Sequence, residues 1–355
     1  MKKWLSLLLV VCMVVGLCAC GAAPDAPAAP AEPAAPAEPA APAEPAAPAE
    51  ESAESYSFSV GCSAAGGTFN IIGSGWCNLM GELFPGKYSF TAETTGGSSA
   101  NIALIESGEA MFGAGGAGST YEAYNATAEW TQGQKLTKSR LMWPYYSMAL
   151  TCFTMANTDI MTVSDLEGKK VGMGSAGGGS LLMDVFDAMG MNVEPYHDTW
   201  ANCVDALKNG SIDAVITFAA GAWTSLQEAE ATHECRLLPF SDEQRDVLCD
   251  SFAFFTKSAI PAGTYKCNAD TEIPSVAQWS FEMCSADLPD DVVYELTKAT
   301  FEHYDDMVNI YAGLGDGLKL ESVPQMPYLF HDGAIRYFEE MGVTMAPIAD
   351  GFNVE

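Results

Sequence analysis

The chain has 355 residues and a formal net charge of −30, from 46 acidic against 16 basic side chains. Phosphate recognition relies on lysine and arginine, so this balance argues against nucleic acid as a partner. The four histidines, at 197, 233, 303 and 331, form no His or Cys pair at ligand spacing, which argues against a metal site.

Residues 1–19 begin with Lys2 and Lys3, continue as an apolar run over residues 4–15 and end in Leu17-Cys18-Ala19 before Cys20. That run is too short to span a bilayer and closes on small residues, the pattern of an export signal. It resembles a bacterial lipoprotein signal, in which Cys20 becomes the lipidated first residue of the mature chain. The expected location is extracytoplasmic, lipid-anchored to the outer face of the cytoplasmic membrane. Residues 20–55 follow as a tether. From Pro24 to Pro48 a proline falls at every third position, with Glu32, Glu38, Glu44 and Glu50 spaced by six. Polyproline II has three residues per turn and no apolar face here, so this stretch makes a spacer of about 3.1 Å per residue and no core.

From Tyr56 onward 39 acidic residues face 14 basic ones. Three hundred residues exceed what one hydrophobic core usually serves, so two lobes are expected: 56–148 with 260–355, and 149–259. Eight cysteines lie here, none in a C-x-x-C pair, and both disulfides and buried free thiols fit them.

The repeating unit is strand, glycine turn, helix. Tyr56, Phe58 and Val60 alternate as a strand and lead through Gly66-Gly67-Thr68 into a helix carrying Ile72, Trp76, Leu79, Met80 and Leu83, with Thr68 as expected N-cap. Tyr88-Ser-Phe-Thr-Ala leads into Thr94-Thr95-Gly96-Gly97-Ser98-Ser99-Ala100-Asn101, where Ser98 is the expected N-cap and Gly108 the helix end. A third strand ends near Ala110-Met111-Phe112, before a turn read at Gly113-Ala-Gly-Gly-Ala-Gly-Ser119 and a helix with Tyr121 and Tyr124.

The chain then crosses to the second lobe around residues 148–155. Val171 to Met173 reads as a strand, Ser175-Ala-Gly-Gly-Gly-Ser180 as a turn, and Leu181, Leu182, Val185 and Phe186 as a helix that Gly190 closes. Asp213-Ala-Val-Ile-Thr-Phe218 is a buried strand leading to Gly221, and residues 273–284 a return strand. Pro289-Asp290 opens a long helix, and residues 332–341 form the last one behind a His331-Asp332-Gly333 cap. Such alternation implies parallel sheets with helices on both faces.

Two stretches match G-x-G-x-x-G, at Gly113, Gly115, Gly118 and at Gly172, Gly174, Gly177. With 33 glycines such matches arise by chance, and an exported chain has no obvious supply of dinucleotide. No nucleophile elbow G-x-S-x-G and no phosphate loop occurs, and nothing fixes a Cys–His pair in space. What remains is a set of helix starts. Each carries unpaired N–H groups and about half a positive charge, which suits a carboxylate. In open α/β sheets such turns face one crevice beyond the strand ends. Ser and Thr hydroxyls add neutral donors, as a chain this acidic needs to hold an anion. Phe69, Trp223 and Tyr265 suit either core packing or a cleft wall, and Arg140 either an ion pair or a ligand carboxylate.

The ordered motifs resemble the TAXI type of solute-binding protein that serves TRAP transporters. They run through Gly66-Gly67-Thr68-Phe69, Thr94-Thr95-Gly96-Gly97-Ser98 with Asn101, Tyr121 and Ala123-Tyr124-Asn125, and Asp165-Leu166-Glu167-Gly168-Lys169. Further on come Ala206-Leu207-Lys208-Asn209-Gly210, Ile260-Pro-Ala-Gly-Thr-Tyr265, Leu288-Pro-Asp-Asp-Val-Val-Tyr294 and His331-Asp-Gly-Ala-Ile-Arg-Tyr337. The resemblance covers essentially the whole exported region. It implies an α/β, two-lobed, Venus-flytrap (type II-like) binding-protein fold with parallel-rich sheets and an interlobe cleft. It further implies capture of a small organic anion, glutamate, a dicarboxylate or a related acid, and delivery to small and large TRAP membrane subunits, separate or fused. No enzyme activity, cofactor or metal is expected. The ligand residues so implied are Gly66, Gly67, Thr68, Phe69, Thr95, Gly96, Gly97, Ser98, Asn101, Gly118, Ser119, Ser175, Gly178, Gly179, Ser180 and Trp223. An ABC-type uptake system and a sensory module for a membrane receptor are the alternatives. Gly177-Gly178-Gly179-Ser180 stands where Gly-Ser-Gly-Thr is usual, Gly115-Gly116-Ala117-Gly118 where bulkier polar residues stand, Trp223 where a small residue or Pro often follows, and Asp332 where Pro follows His. A bulky indole with fewer donors favours a larger or more apolar acid.

Overall fold

The structure is a computed structural model that describes residues 55–174 and 176–354, without the side chains of residues 176–180. The signal, the tether and Cys20 lie outside the described residues, as does Ser175. Strands β1 (Tyr56–Gly61), β2 (Tyr88–Glu93) and β3 (Phe112–Gly116) form a parallel set with β1 in the middle. Helices α1 (Thr68–Leu83) and α2 (Ser98–Ser107) connect them, and α3 (Ala117–Asn125) leaves β3. A second parallel set contains β5 (Lys170–Gly172), β6 (Glu194–Tyr196) and β7 (Ala214–Ala219), connected by α4 (Ala176–Ala188) and α5 (Trp200–Lys208).

Two long strands bridge the sets. β4 (Ser139–Met155) and β10 (Ile273–Ser285) pair antiparallel, with β3 on the far side of β10 and β7 on the far side of β4. The outcome is one sheet in the order β2-β1-β3-β10-β4-β7-β5-β6, where the sequence pattern implies separate parallel sheets. β8 (Cys235–Leu237) adds to β4 and β9 (Thr256–Ile260) to β10. The bridging pair carries register shifts between Ser280 and Phe281 and between Glu282 and Met283, irregularities that locally raise twist and bend. Around the second set lie α6 (Thr224–Glu230) and α7 (Asp242–Ser251). The chain ends in α8 (Asp290–Glu302), α9 (Tyr304–Ile310), α10 (Leu314–Gly317) and α11 (Asp332–Glu340). Here α8 packs on α11 and α9 on α1.

Helical periodicity in α1 buries Ile72, Trp76 and Met80 under the sheet, and the Trp76 indole donates to Thr300 Oγ1 at 2.9 Å. Burying such side chains contributes roughly 2–3 kcal/mol each. Two expected caps move by one residue: Gly67 and Gly97 are the N-caps, with Thr68 and Ser98 the first helical residues. Gly97 has φ 94°, which glycine alone adopts readily. The stretch read as a third turn is strand: Gly113, Gly115 and Gly116 lie inside β3, which passes directly into α3. Glycine is needed there by packing, because a Cβ at Gly113 would stand 3.0 Å from Asn101 Cβ and 3.3 Å from Gly61 O. Gly108 closes α2 at φ 79°, and the His331 ring caps α11 by accepting Gly333 N–H at 3.1 Å.

Candidate functional site

Two adjoining cavities lie between the parallel sets, at the carboxyl ends of their strands. The first, of about 480 Å³, is lined by the start of α2 (Gly96, Ser98, Ser99, Ala100), by Ser119 and Glu122 of α3, and by Trp130, Leu181 and Gln278. The second, of about 400 Å³, is lined by Gly67 and Thr68 at the start of α1 and by Tyr146, Thr217, Trp200, Trp223 and Tyr311. Phe69, Met148 and Phe218 line both and form the partition. Since Phe69 belongs to α1, Met148 to the bridging strand and Phe218 to β7, one cleft takes walls from both halves. A cavity of about 680 Å³ beside Met155, Lys208, Asp213 and His233 sits at the opposite, amino-terminal edge of β7, away from where α/β sheets bind ligands.

The starts of α1 and α2 bring N–H groups with no intrahelical acceptor to the cleft. Gln278, from the middle of β10, is only 4% exposed, and its Oε1 accepts the Gly118 N–H at 2.8 Å. A backbone N–H requires an acceptor, so the amide orientation is fixed and Nε2 is the end left for the cavity. The site of the missing Gly116 side chain marks the floor: a Cβ there would lie 3.7 Å from Met148 Cε, 3.8 Å from Gln278 Oε1 and 3.9 Å from Ser98 Oγ. Glu122, itself buried, accepts from the Trp130 indole at 2.9 Å through Oε2. The second cavity is aromatic. Trp223 meets Trp200 edge-on at 5.4 Å and Tyr146 lies 5.9 Å from Tyr311. Burial pushes the Tyr146 phenol above its ordinary range, so it stays a neutral donor.

Of the residues read from sequence, Gly67, Thr68, Phe69, Gly96, Ser98, Ser119 and Trp223 line the cleft. Gly66, Thr95, Gly97, Asn101 and Gly118 do not, and most have internal duties. Thr95 Oγ1 donates to Cys62 O at 3.0 Å and accepts Gly97 N–H at 3.1 Å. Asn101 is wholly buried and donates to Cys62 O at 2.7 Å and Ala114 O at 2.8 Å, clamping the ends of β1 and β3. Gly118 gives its N–H to Gln278. Ser175 and the side chains at 178–180 lie outside the described residues. Arg140 lines neither cavity and makes no ion pair among the described residues; its guanidinium donates to Thr137 O and Ser139 O. Tyr265 is no wall but a brace, its hydroxyl accepting Trp223 N–H at 2.8 Å. All eight cysteines from Cys62 to Cys284 are free, and among the described residues no group of side chains is arranged to hold a metal.

The sequence reading missed Gln278, Met148, Phe218, Tyr146, Glu122 and Trp130. Gln278 carried a weak signal at most, since its amide shares β10 with Ser275, Ser280 and Glu282.

These features define a two-lobed α/β protein of the binding-protein kind, with its cleft between the lobes. The chain belongs to the NMT1-like family, whose model matches residues 60–342. Among solved structures it is similar to the malate-bound MatC from Rhodopseudomonas palustris (12% identity, 74% of this chain and 90% of that one, TM-score 0.48). It is also similar to ytmK from Bacillus subtilis, described as the extracellular-binding protein of a probable amino-acid ABC transporter (16% identity, 72% and 96% covered, TM-score 0.45). A third likeness is to a Streptococcus mutans protein from work on glutathione import through GshT and a cystine ABC importer (13% identity, 74% and 97% covered, TM-score 0.46). Among the described residues no helix is long and apolar enough to cross a membrane.

Proposed function

We propose that this chain is an extracytoplasmic solute-binding protein that captures a small organic solute between lobes 56–148 with 260–355 and 149–259, and hands it to membrane transporter subunits without chemical turnover. The observation that carries the reading is the cleft itself, which takes helix starts, hydroxyls and aromatic walls from both strand sets. Membership of the NMT1-like family supports it. Cys20 is proposed as the lipid anchor and residues 20–55 as the tether.

The membrane partner has two readings. An ABC-type permease is the partner class named for ytmK, whereas the order of motifs supports TRAP subunits. Reconstituted uptake that needs ATP selects the first, and uptake driven by an ion gradient alone selects the second. The binding step is tested by the melting temperature of the full chain across amino acids, dicarboxylates and keto acids. A ligand at 100 times its Kd adds about 2.7 kcal/mol of stability, a shift easily read. A screen in which no solute moves the transition overturns the reading.

A further inference from the structure

The cleft lining says more about the solute than its size. Neither cavity is lined by lysine, arginine or histidine among the described residues, and the one ionisable acid in the linings is Glu122. The six residues Ser175-Ala-Gly-Gly-Gly-Ser180 contain no ionisable side chain either, so this stretch, read from sequence as a turn but helical from Ala176 as the opening of α4, leaves this balance unchanged. The arginines that could clamp a second carboxylate are engaged elsewhere. Arg140 and Arg236 are bonded to backbone carbonyls, Arg245 pairs with Asp242, and Arg336 with Asp291. A solute with two carboxylates would therefore place one of them against apolar walls or near a buried carboxylate, with no cation to offset its desolvation.

The first cavity is polarised. On one side stands the start of the ten-residue α2, with Ser98 and Ser99 at its mouth. Beside it is the Gln278 amide, nine-tenths buried, locked by Gly118 and with no partner for Nε2 among the described residues. These are donors suited to one carboxylate. From α3, Glu122 lines the same cavity as an acceptor of charge-assisted bonds from a cation. Beyond the Phe69, Met148 and Phe218 partition the second cavity presents Tyr146, Trp200, Trp223 and Tyr311, a place for an apolar or aromatic body.

Resting on the solute-binding reading, we infer that the ligand is a zwitterionic α-amino acid with a large apolar or aromatic side chain. Its carboxylate meets α2 and Gln278, its ammonium meets Glu122, and its side chain crosses the partition into the aromatic cavity. This narrows the organic-anion expectation: charge is matched group by group, and the net charge of the solute is zero.

The test is calorimetric titration of the full chain with L-phenylalanine, L-tryptophan and L-methionine. Each is compared with a counterpart lacking the amine (3-phenylpropionate for phenylalanine) or lacking the carboxylate (phenethylamine), and malate and L-glutamate are included as small acids. We expect at least one of the three amino acids to bind, and both of its counterparts to bind about tenfold more weakly or worse, the scale of a lost charge-assisted hydrogen bond. Glu122→Gln should reduce affinity for the amino acid about as much as removal of the amine does, and leave the affinity for the amine-free acid unchanged. Gln278→Leu should weaken both acids alike, with circular dichroism melting to show that each variant is folded. Equal affinity for phenylalanine and phenylpropionate, preference for malate, or indifference to Glu122→Gln overturns the inference while leaving a solute-binding protein. Absence of heat with every solute, together with unmoved melting in the wider screen, overturns both.

Discussion

Glu282 lies inside β10 with 1% of its surface exposed, opposite Trp143 at one of the register shifts. The Tyr145 hydroxyl donates to Oε2, while Oε1 and the Trp143 indole nitrogen have no partner among the described residues. Burial raises its carboxyl from an ordinary 4.5 to about 8. Between those values the folded chain holds a proton that the unfolded chain has released, so this group's contribution to stability falls as pH rises from 4.5 to about 8 and is level above. Glu282→Gln, neutral at every pH and of the same shape, should flatten that slope and raise the melting temperature most from about pH 8 upward, where each pH unit of the slope removed is worth up to about 1.4 kcal/mol of stability. Melting curves across pH 5–9 check this; an unchanged slope refutes it. The His331 ring works in the opposite sense. Burial lowers its pKa below 6.5, so its contribution is present above 6.5 and fades as pH falls below. Gly118 offers a second residue-scale test. A Cβ there would crowd Gln278 Oε1 at 3.1 Å and Phe254 Cε2 at 3.4 Å and overlap a movable Leu181 methyl. Gly118→Ala keeps the N–H but should cost about 1–2 kcal/mol of stability and should also weaken binding of whichever amino acid the titration identifies, because the added methyl pushes the Gln278 amide off its anchor. A stability loss with unchanged affinity would show that Gln278 does not face the ligand. At this scale sequence was a poor guide. Hydroxyls beside glycines were legible as donors, but the Thr95 hydroxyl and the Asn101 amide spend their hydrogen bonds on each other and on the backbone, and only three dimensions bring Gln278 to the start of α3.

At the scale of elements, the turn at residues 221–223 shows how a loop is held without regular structure. Gly221 takes φ 60°, and the Tyr265 hydroxyl both accepts Trp223 N–H and donates to Gly221 O at 3.2 Å. That brace fixes where the Trp223 indole stands against Trp200. Tyr265→Phe leaves a half-buried N–H without its acceptor, and should lower stability by about 1–2 kcal/mol and weaken binding of solutes with aromatic side chains more than that of small ones. Uniform loss across solutes would assign Tyr265 to the fold alone. Elements themselves were largely readable. The alternation of Tyr56, Phe58 and Val60 and the spacing of Ile72, Trp76 and Met80 gave the first unit, and residues 148–155 and 273–284 fall within the two bridging strands. The failure at Gly113 to Gly116 has a physical cause. Glycine signals a turn by conformational freedom, yet here it serves close packing, and composition cannot tell the two apart. The caps missed by one residue because a glycine preceding Ser or Thr competes for the same position.

For the whole molecule the governing quantity is charge. The region from Tyr56 onward has a net charge of −25 by its 39 acidic and 14 basic residues, and no basic side chain among the described lining residues tempers that field inside the cleft. A dicarboxylate approaching such a surface is repelled over a Debye length, about 30 Å at 10 mM salt and about 8 Å at 150 mM, so its association rate should climb several-fold as salt is added. A zwitterion has no net charge for the field to act on. Its association rate should stay level across the same range, while its dissociation rate increases modestly if the ammonium–Glu122 pair is partly screened in the open cleft. Stopped-flow tryptophan fluorescence on the full chain reads both rates, with Trp130, Trp200 and Trp223 all at the cleft as reporters. A level association rate fits an amino acid. A steep rise with salt would mean that the bound species is an anion despite the lining, and that the helix starts of α1 and α2 hold it with backbone N–H groups and hydroxyls alone.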